Sequence, residues 1–311
     1  MRVAFFGTPD FAVPSLRALV GEGFDVVAVV TQPDAPQGRS RSRLVPPPVK
    51  VVAEAEDLTL FQPEKPTDGA FLVRLRDTLP DIGVVVAYGH ILKPELLELP
   101  PRGMVNVHPS LLPALRGPAP VEWAVVRGLE ETGVTIMQLD AGMDTGPILH
   151  QIPDHVDPDV TGGELSEHLA ELGAQALVET LALLEQDALR PVPQNEALAT
   201  YAPKLTRELA RIDWTKDAAT VARLIRGLDP RPGAWTELDG AELKLYNARV
   251  ADGSGSPGEI VAADGRLLIA AGGGGGGGAV DVFEVQPAGK ARMTADDWLR
   301  GARIPPGRRL T

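Results

Sequence analysis

An α/β domain on a largely parallel sheet, followed by a smaller antiparallel β-barrel, is the architecture this sequence predicts. Two observations carry it. Over the first two thirds of the chain, short apolar runs alternate with stretches whose apolar residues recur at helical spacing. Beyond about residue 189 the alternation stops, and short β-rich runs separated by Gly, Asp and Pro replace it. With 311 residues, 44% of them hydrophobic, the chain can build a core in each of two domains.

In order, RVAFFGT reads as a buried strand closing on Gly7, and FAVPSLRALVGEG as a helix ending on glycine. DVVAVVTQ is a second strand. FLVRLRDTLP and IGVVVAYG repeat the helix–strand step, and GMVNVHPS is a further short strand. APVEWAVVRGL reads as a helix, TGVTIMQLD as a strand, and GGELSEHLAELGAQALVETLALLEQ as a long amphipathic helix. The polar, proline-bearing RPVPQNEALATYAPKL has no periodicity and reads as a linker. One more helix, AATVARLIRGLDP, precedes the strands AELKLYNARV, GEIVAADGRLLIAA and AVDVFEVQPAGK. The expected boundaries are a first domain over 1–189, a linker over 190–205 and a barrel over 206–311. The glycine run Gly272–Gly278 reads as a mobile hairpin loop without function; a phosphate cradle would need a helix after it.

Composition excludes several classes. The chain has no cysteine, which removes disulfides, thiolate metal sites and a cysteine nucleophile. No run approaches the ~18 apolar residues of a membrane span, and the start lacks the features of a signal peptide, so a cytoplasmic protein without a membrane partner is expected. Only Gly7 stands where a dinucleotide fold puts its glycine-rich turn, and no Walker loop occurs. Nicotinamide and ATP are therefore not expected. The formal net charge of −12 argues against a nucleic-acid partner, but it is uneven. From Thr206 onward there are 15 Lys/Arg against 14 Asp/Glu, and the remainder has 15 against 28. Thr31–Lys50 and Lys290–Thr311 are locally basic, as a polyanion would require.

The stretch NVHPSLLP carries the chemistry. Asn106 and His108 are two apart on an extended segment, so their side chains share a face. Pro109 then fixes the chain direction. Downstream, QLDAGMDTGPIL supplies Asp140 and Asp144 in a glycine-punctuated loop. A carboxylate near an imidazole raises its pKa and orients it. Amide, imidazole and carboxylate together suit a reaction through a tetrahedral oxyanion, with His108 moving protons. No protein nucleophile is needed if the substrate brings an amine. His108 and Asp144 lack a third ligand at useful spacing, so no metal is expected.

GTPDFAVPSL, TQPDAPQGR, VVAYG, NVHPSLLPALRGPAPVEWA, TGVTIMQLDAGMDTGPIL, ARIDW and VQPAGKARM, in this order over nearly the whole chain, resemble the methionyl-tRNA formyltransferases, the tRNA branch of the 10-formyltetrahydrofolate-dependent formyltransferase family. The resemblance implies a Rossmann-like formyltransferase domain and an OB-like barrel that binds tRNA. It implies a cytoplasmic enzyme of translation initiation, a monomer using 10-formyltetrahydrofolate and methionyl initiator tRNA, with no metal. Asn106, His108 and Asp144 fall on the family's catalytic positions. Ser110, Leu111, Leu112 and Pro113, with Tyr88 and Gly89, fall on its folate site. Thr31–Lys50 matches the loop that enters the tRNA acceptor stem, with Arg39 on its basic position and Arg41 and Arg43 beside it. Lys290 and Arg292, followed by Arg303, Arg308 and Arg309, are the candidate tRNA contacts of the barrel.

Overall fold

Nearly every predicted strand and helix forms, and short elements fill the gaps between them. The computed structural model describes residues 1–37, 43–272 and 278–311. They gather into two units. The first comprises Met1–Gly117, Thr132–Asp154 and Ser166–Tyr201; the second comprises Pro118–Glu131, His155–Leu165 and Ala202–Thr311.

The chain begins with β1 (Arg2–Gly7) and α1 (Val13–Gly21), which carries proline in its first turn, where a missing N–H costs nothing. After β2 (Asp25–Val30) comes a two-stranded ribbon, β3 (Ala35–Gln37) paired with β4 (Arg43–Val45), where the sequence suggests a loop. Then follow α2 (Pro48–Ala55), β5 (Leu60–Phe61), α3 (Gly69–Asp77), β6 (Ile82–Val86), α4 (Pro94–Leu97) and β7 (Met104–His108). α5 (Pro120–Arg127) starts on proline and stops at Gly128, whose φ of 65° suits a residue without Cβ. β8 (Glu131–Gln138) and β9 (Ile148–His155) lead to α6 (Gly162–Glu185). Thr161 and Glu164 form a reciprocal capping box at the start of α6.

The sheet of the first unit has the order β5-β2-β1-β6-β7-β8-β9. Every pairing from β5 to β7 is parallel, and β8 runs antiparallel to β7. β6 is buried at all five positions and β1 at five of six, as expected of central strands covered on both faces. That burial is why these runs are continuously apolar rather than alternating. β9, with the run ILHQIPDH, has no clean periodicity and was not predicted; its proline and mixed polarity suit an edge strand.

In the second unit α7 (Ala218–Gly227) precedes β10 (Ala234–Leu238), β11 (Ala241–Asp252), β12 (Ile260–Ala262), β13 (Leu267–Ala270), β14 (Gly278–Pro287), β15 (Met293–Thr294) and α8 (Ala295–Ala302). The predicted barrel takes the form of a curled antiparallel half-barrel, ordered β10-β11-β14-β13-β12 with β15 on β14. Val221, Ala222 and Ile225 of α7 share its core with Leu243, Leu245, Val280, Val282, Trp214 and Trp298. The glycine run joins the paired strands β13 and β14; its residues 273–277 lie outside the described residues. No described helix is long and apolar enough to cross a membrane.

Candidate active site

β7 brings the amide and the imidazole together. It lies between β6 and β8, with Asn106 in register with Met137 and His108 with Thr135. Asn106 is half-buried, and its amide makes no hydrogen bond among the described residues. His108 is only 4% exposed.

The two nitrogens of His108 have different partners. Nε2 lies 3.1 Å from the Leu115 carbonyl. A carbonyl only accepts, so Nε2 carries a proton and donates it. In the neutral ring Nδ1 is then bare, and it faces Asp144 Oδ1 at 3.8 Å. That separation exceeds a hydrogen bond but is short enough for strong attraction once the ring is charged. An ion pair near 4 Å gains about 4 kcal/mol at an effective dielectric near 20. Charging a fully buried group costs several kcal/mol. Burial is the larger effect here: it holds the His108 pKa below its ordinary value, although the Asp144 charge and the Leu115 carbonyl both push it up. The upward pull of Asp144 is as the sequence predicts; the net direction is reversed. His108 rests as a neutral imidazole.

The loop after His108 is fixed from beneath. The Thr135 hydroxyl donates to the Ser110 carbonyl at 2.6 Å and accepts from Leu112 N–H at 3.0 Å and Gln151 Nε2 at 2.9 Å. Gln151 also donates to the Leu112 carbonyl. Ser110 is buried and spends its hydroxyl on the Ala114 carbonyl at 2.6 Å. Leu112 is buried as well, which leaves Leu111 and Pro113 part-exposed along the loop. Leu111 lies over Gly133, where an added Cβ would come within 2.8 Å of its Cδ2.

Asp144 sits in the connection between β8 and β9 with a left-handed φ of 56°. Its Oδ2 accepts from Gly117 N–H at 2.8 Å. Asp140, the other acid of that loop, shapes the turn: it accepts from Gly142 N–H and the Thr145 hydroxyl. Arg116 is 1% exposed. Its guanidinium donates to both Glu196 carboxylate oxygens and, through Nε and Nη2, to Gln194 Oε1. Thr135, Gln151, Arg116, Gln194 and Glu196 were not anticipated. Their partners are 16 to 80 residues away in sequence, and no local pattern marks them.

The remaining predicted residues are placed as follows. The Tyr88 ring is 1% exposed and belongs to the core, edge-on to Phe6. Burial pushes its hydroxyl pKa up to about 12. Any ligand contact at Tyr88 and Gly89 therefore falls to backbone. The Tyr88 carbonyl already accepts from Thr8 and Gln32, and Gly89 has φ 86° with Gln32 Nε2 where a Cβ would stand. Arg39 and Arg41 lie outside the described residues, and Arg43 begins β4. The base of that ribbon is anchored by Asp34, which accepts from Lys50 at 2.9 Å and Gln62 at 2.8 Å. Lys290 is exposed. Arg292 is committed to Asp229, Glu284 and the face of Tyr246. Arg308 pairs with Asp239, Arg309 donates to the Pro257 carbonyl, and Arg303 is exposed. Among the described residues no cluster of three His, Asp or Glu could hold a metal ion.

Comparison with known proteins matches residues 1–181 to the formyl transferase family and residues 204–303 to the formyl transferase C-terminal domain. A methionyl-tRNA formyltransferase of Geobacter metallireducens is 44% identical over 312 residues, covering 100% of this chain and 98% of that protein. Among solved structures, HypX from Aquifex aeolicus in complex with tetrahydrofolic acid matches 96% of this chain with a TM-score of 0.65 at 20% identity; the chain spans 47% of HypX. An N-formyltransferase from Helicobacter canadensis, in complex with folinic acid and dTDP-3-aminofucose, matches 92% of this chain and 98% of its own with a TM-score of 0.68 at 16% identity. At those identities the two structures speak to the fold alone.

Proposed function

The chain belongs to the methionyl-tRNA formyltransferase family, and on that premise we propose how its residues carry out the reaction. The protein transfers the formyl group of 10-formyltetrahydrofolate to the α-amine of methionyl initiator tRNA. Asn106, His108 and Asp144 are the catalytic residues of this reading. The observation that carries it is the half-satisfied imidazole: one nitrogen of His108 is tied to Leu115, and the other is bare beside a carboxylate.

The neutral amine attacks the formyl carbon. The Asn106 amide, which bonds to no other described residue, donates to the developing oxyanion. His108 Nδ1 takes the proton lost by the attacking nitrogen, and Asp144 stabilises the imidazolium that forms. As the bond from the formyl carbon to N10 breaks, that proton passes to N10 and tetrahydrofolate leaves. The apolar stems of Leu111 and Pro113 are exposed enough to meet the donor. Ser110 and Leu112 hold the loop that presents them. Tyr88 and Gly89 would contribute through backbone only.

For the tRNA, we assign the acceptor-stem contacts to Arg39, Arg41 and Arg43 and a weaker contact to Lys290. Arg292 acts there only if it leaves Asp229. Phosphate contacts of this kind make binding salt-dependent, so rising salt should raise the KM for tRNA. A monomer working in the cytoplasm is part of the same reading. The test is incubation with 10-formyltetrahydrofolate and either charged initiator or charged elongator tRNA. Formylmethionine on the initiator is expected. Formylation of a small amine with Met-tRNA untouched, or formate release without an acceptor, would overturn it.

A further inference from the structure

The segment after α6, which by sequence is only a linker, runs along the catalytic loop and bonds to it repeatedly. Leu115 N–H donates to the Thr200 hydroxyl, Arg116 N–H to the Thr200 carbonyl, and Thr200 N–H to the Pro113 carbonyl. Three consecutive loop residues then divide the catalytic pair between them. Leu115 supplies the carbonyl that fixes His108, Gly117 supplies the N–H that fixes Asp144, and Arg116 between them reaches back to Gln194 and Glu196.

Gln194 closes the circuit. Its Nε2 donates to the Asp144 carbonyl at 2.8 Å and the Gly146 carbonyl at 2.7 Å, while its Oε1 accepts two N–H groups from Arg116. Both donors and both lone pairs are used, so the amide has one orientation; reversed, it would set oxygen against carbonyls and NH₂ against a guanidinium. We propose that Gln194 and Glu196 are positioning residues for the His108–Asp144 pair, acting through the buried Arg116 and the backbone of Asp144. The need for such a restraint is local. Ala141, Gly142 and Met143, just before Asp144, are exposed, and two glycines flank the acid. Among the described residues, the hydrogen bond that the Asp144 carboxylate accepts comes from outside the loop, from Gly117 N–H.

This inference rests on the formyl-transfer reading, and its test separates the two. Gln194→Ala should lower kcat by roughly 10–10²-fold, the cost of misplacing a catalytic group by about 1 Å, with KM for donor and tRNA within about twofold. Gln194→Glu keeps the acceptor for Arg116 but sets carboxylate oxygen against two carbonyls, so it should not rescue; rescue by Glu would mean that only the Arg116 contact matters and would overturn the proposal. In an Asp144→Ala background, Gln194→Ala should cost no more than about twofold further, because the two act as one unit. An undiminished loss there would also overturn it. A readout independent of turnover is the NMR titration of the His108 ring. With Asp144 no longer held near Nδ1, the midpoint should fall in Gln194→Ala, and an unshifted midpoint contradicts the proposal. A wild type that fails to formylate Met-tRNA would instead defeat the functional reading alone. If Gln194→Ala does not fold, Glu196→Gln, which leaves the Gln194 contacts in place, is put through the same cycle and titration. It should act in the same direction by roughly 2–5-fold, as a charge-assisted contact weakens to a neutral one; wild-type turnover with an unshifted His108 would overturn the proposal.

Discussion

Two charged pairs, one in each unit, are built on opposite plans. In the second unit Arg292 grips Asp229 with two N–H bonds, 2.6 and 3.0 Å, while lying over Tyr246 and reaching Glu284. Asn247 N–H adds a further bond to Asp229. In the first unit His108 and Asp144 stand 3.8 Å apart, each anchored on its far side to backbone and neither bonded to the other. The closed pair has nothing left to do. The open pair is buried, oriented and short of one proton, as a site must be if charge is to appear in it during a reaction and then leave.

The comparison can be broken from either side. The largest expected effect is on the open pair and the amide beside it: Asn106→Ala should lower kcat by about 10²–10³-fold, as removal of one oxyanion donor typically does, and His108→Ala by about 10²–10⁴-fold, as loss of a general base does, with donor and tRNA binding far less affected. Asp144→Asn should follow at about 10–10²-fold, since the imidazolium loses its charged partner but keeps its anchor. Removing the Asp144 charge also lowers the His108 pKa, so the acid limb of the rate profile should move to lower pH. Stopped-flow or quenched transfer rates across pH check both. On the closed pair the cost falls on stability. Arg292→Met leaves Asp229, 4% exposed, without its cation and should cost of order 2 kcal/mol. That is below the cost for a fully buried pair, because Arg292 is one third exposed and the Asn247 N–H remains. Thermal or urea unfolding should register this while transfer by the folded variant continues.

The smallest effect is a pH slope. The folded-state pKa of His108 lies below the unfolded value of about 6.5, so the unfolded chain takes up the proton first. The stability from this buried neutral ring is complete above about pH 6.5 and is lost as pH falls from there through the folded value. Unfolding midpoints measured between pH 7.5 and 5 should therefore drop more steeply in the wild type than in His108→Gln.

The sequence carried these two pairs unequally. Asn106 and His108 are legible as a pair because they stand two apart on an extended segment. The glycine-rich loop marks Asp140 and Asp144 alike; the family resemblance picks out Asp144, and Asp144 is the one that faces His108 at 3.8 Å. The parallel sheet is legible because strands buried on both faces are continuously apolar. What holds the site is not. Thr135 looks like one more β-branched residue of a strand, and nothing marks its hydroxyl as the junction of three bonds. Arg116 and Gln194 are 78 residues apart. Gln194 lies in a stretch whose lack of periodicity reads as linker, because its bonds run to another segment rather than along its own. Arg292 fails in the opposite way: a basic residue in a basic tail suggests RNA, whereas its partners Asp229 and Glu284 come from the turn after α7 and from β14. Local pattern reports what a residue is; only the fold reports whether its charge is already spent.

The most direct measurement sets His108→Ala beside Arg292→Met, with the single-turnover rate of formyl transfer to methionyl initiator tRNA and the unfolding midpoint taken on each. The prediction is that the rate per folded molecule separates the two. Per folded molecule, His108→Ala should lose about 10²-fold or more in rate. Its midpoint should fall as well, because the buried ring leaves a cavity and takes away the partner of the Leu115 carbonyl. Arg292→Met should lose stability while its folded fraction transfers at about the wild-type rate. A His108→Ala protein that transfers formyl within about threefold of wild type would contradict the claim that the open pair carries the chemistry.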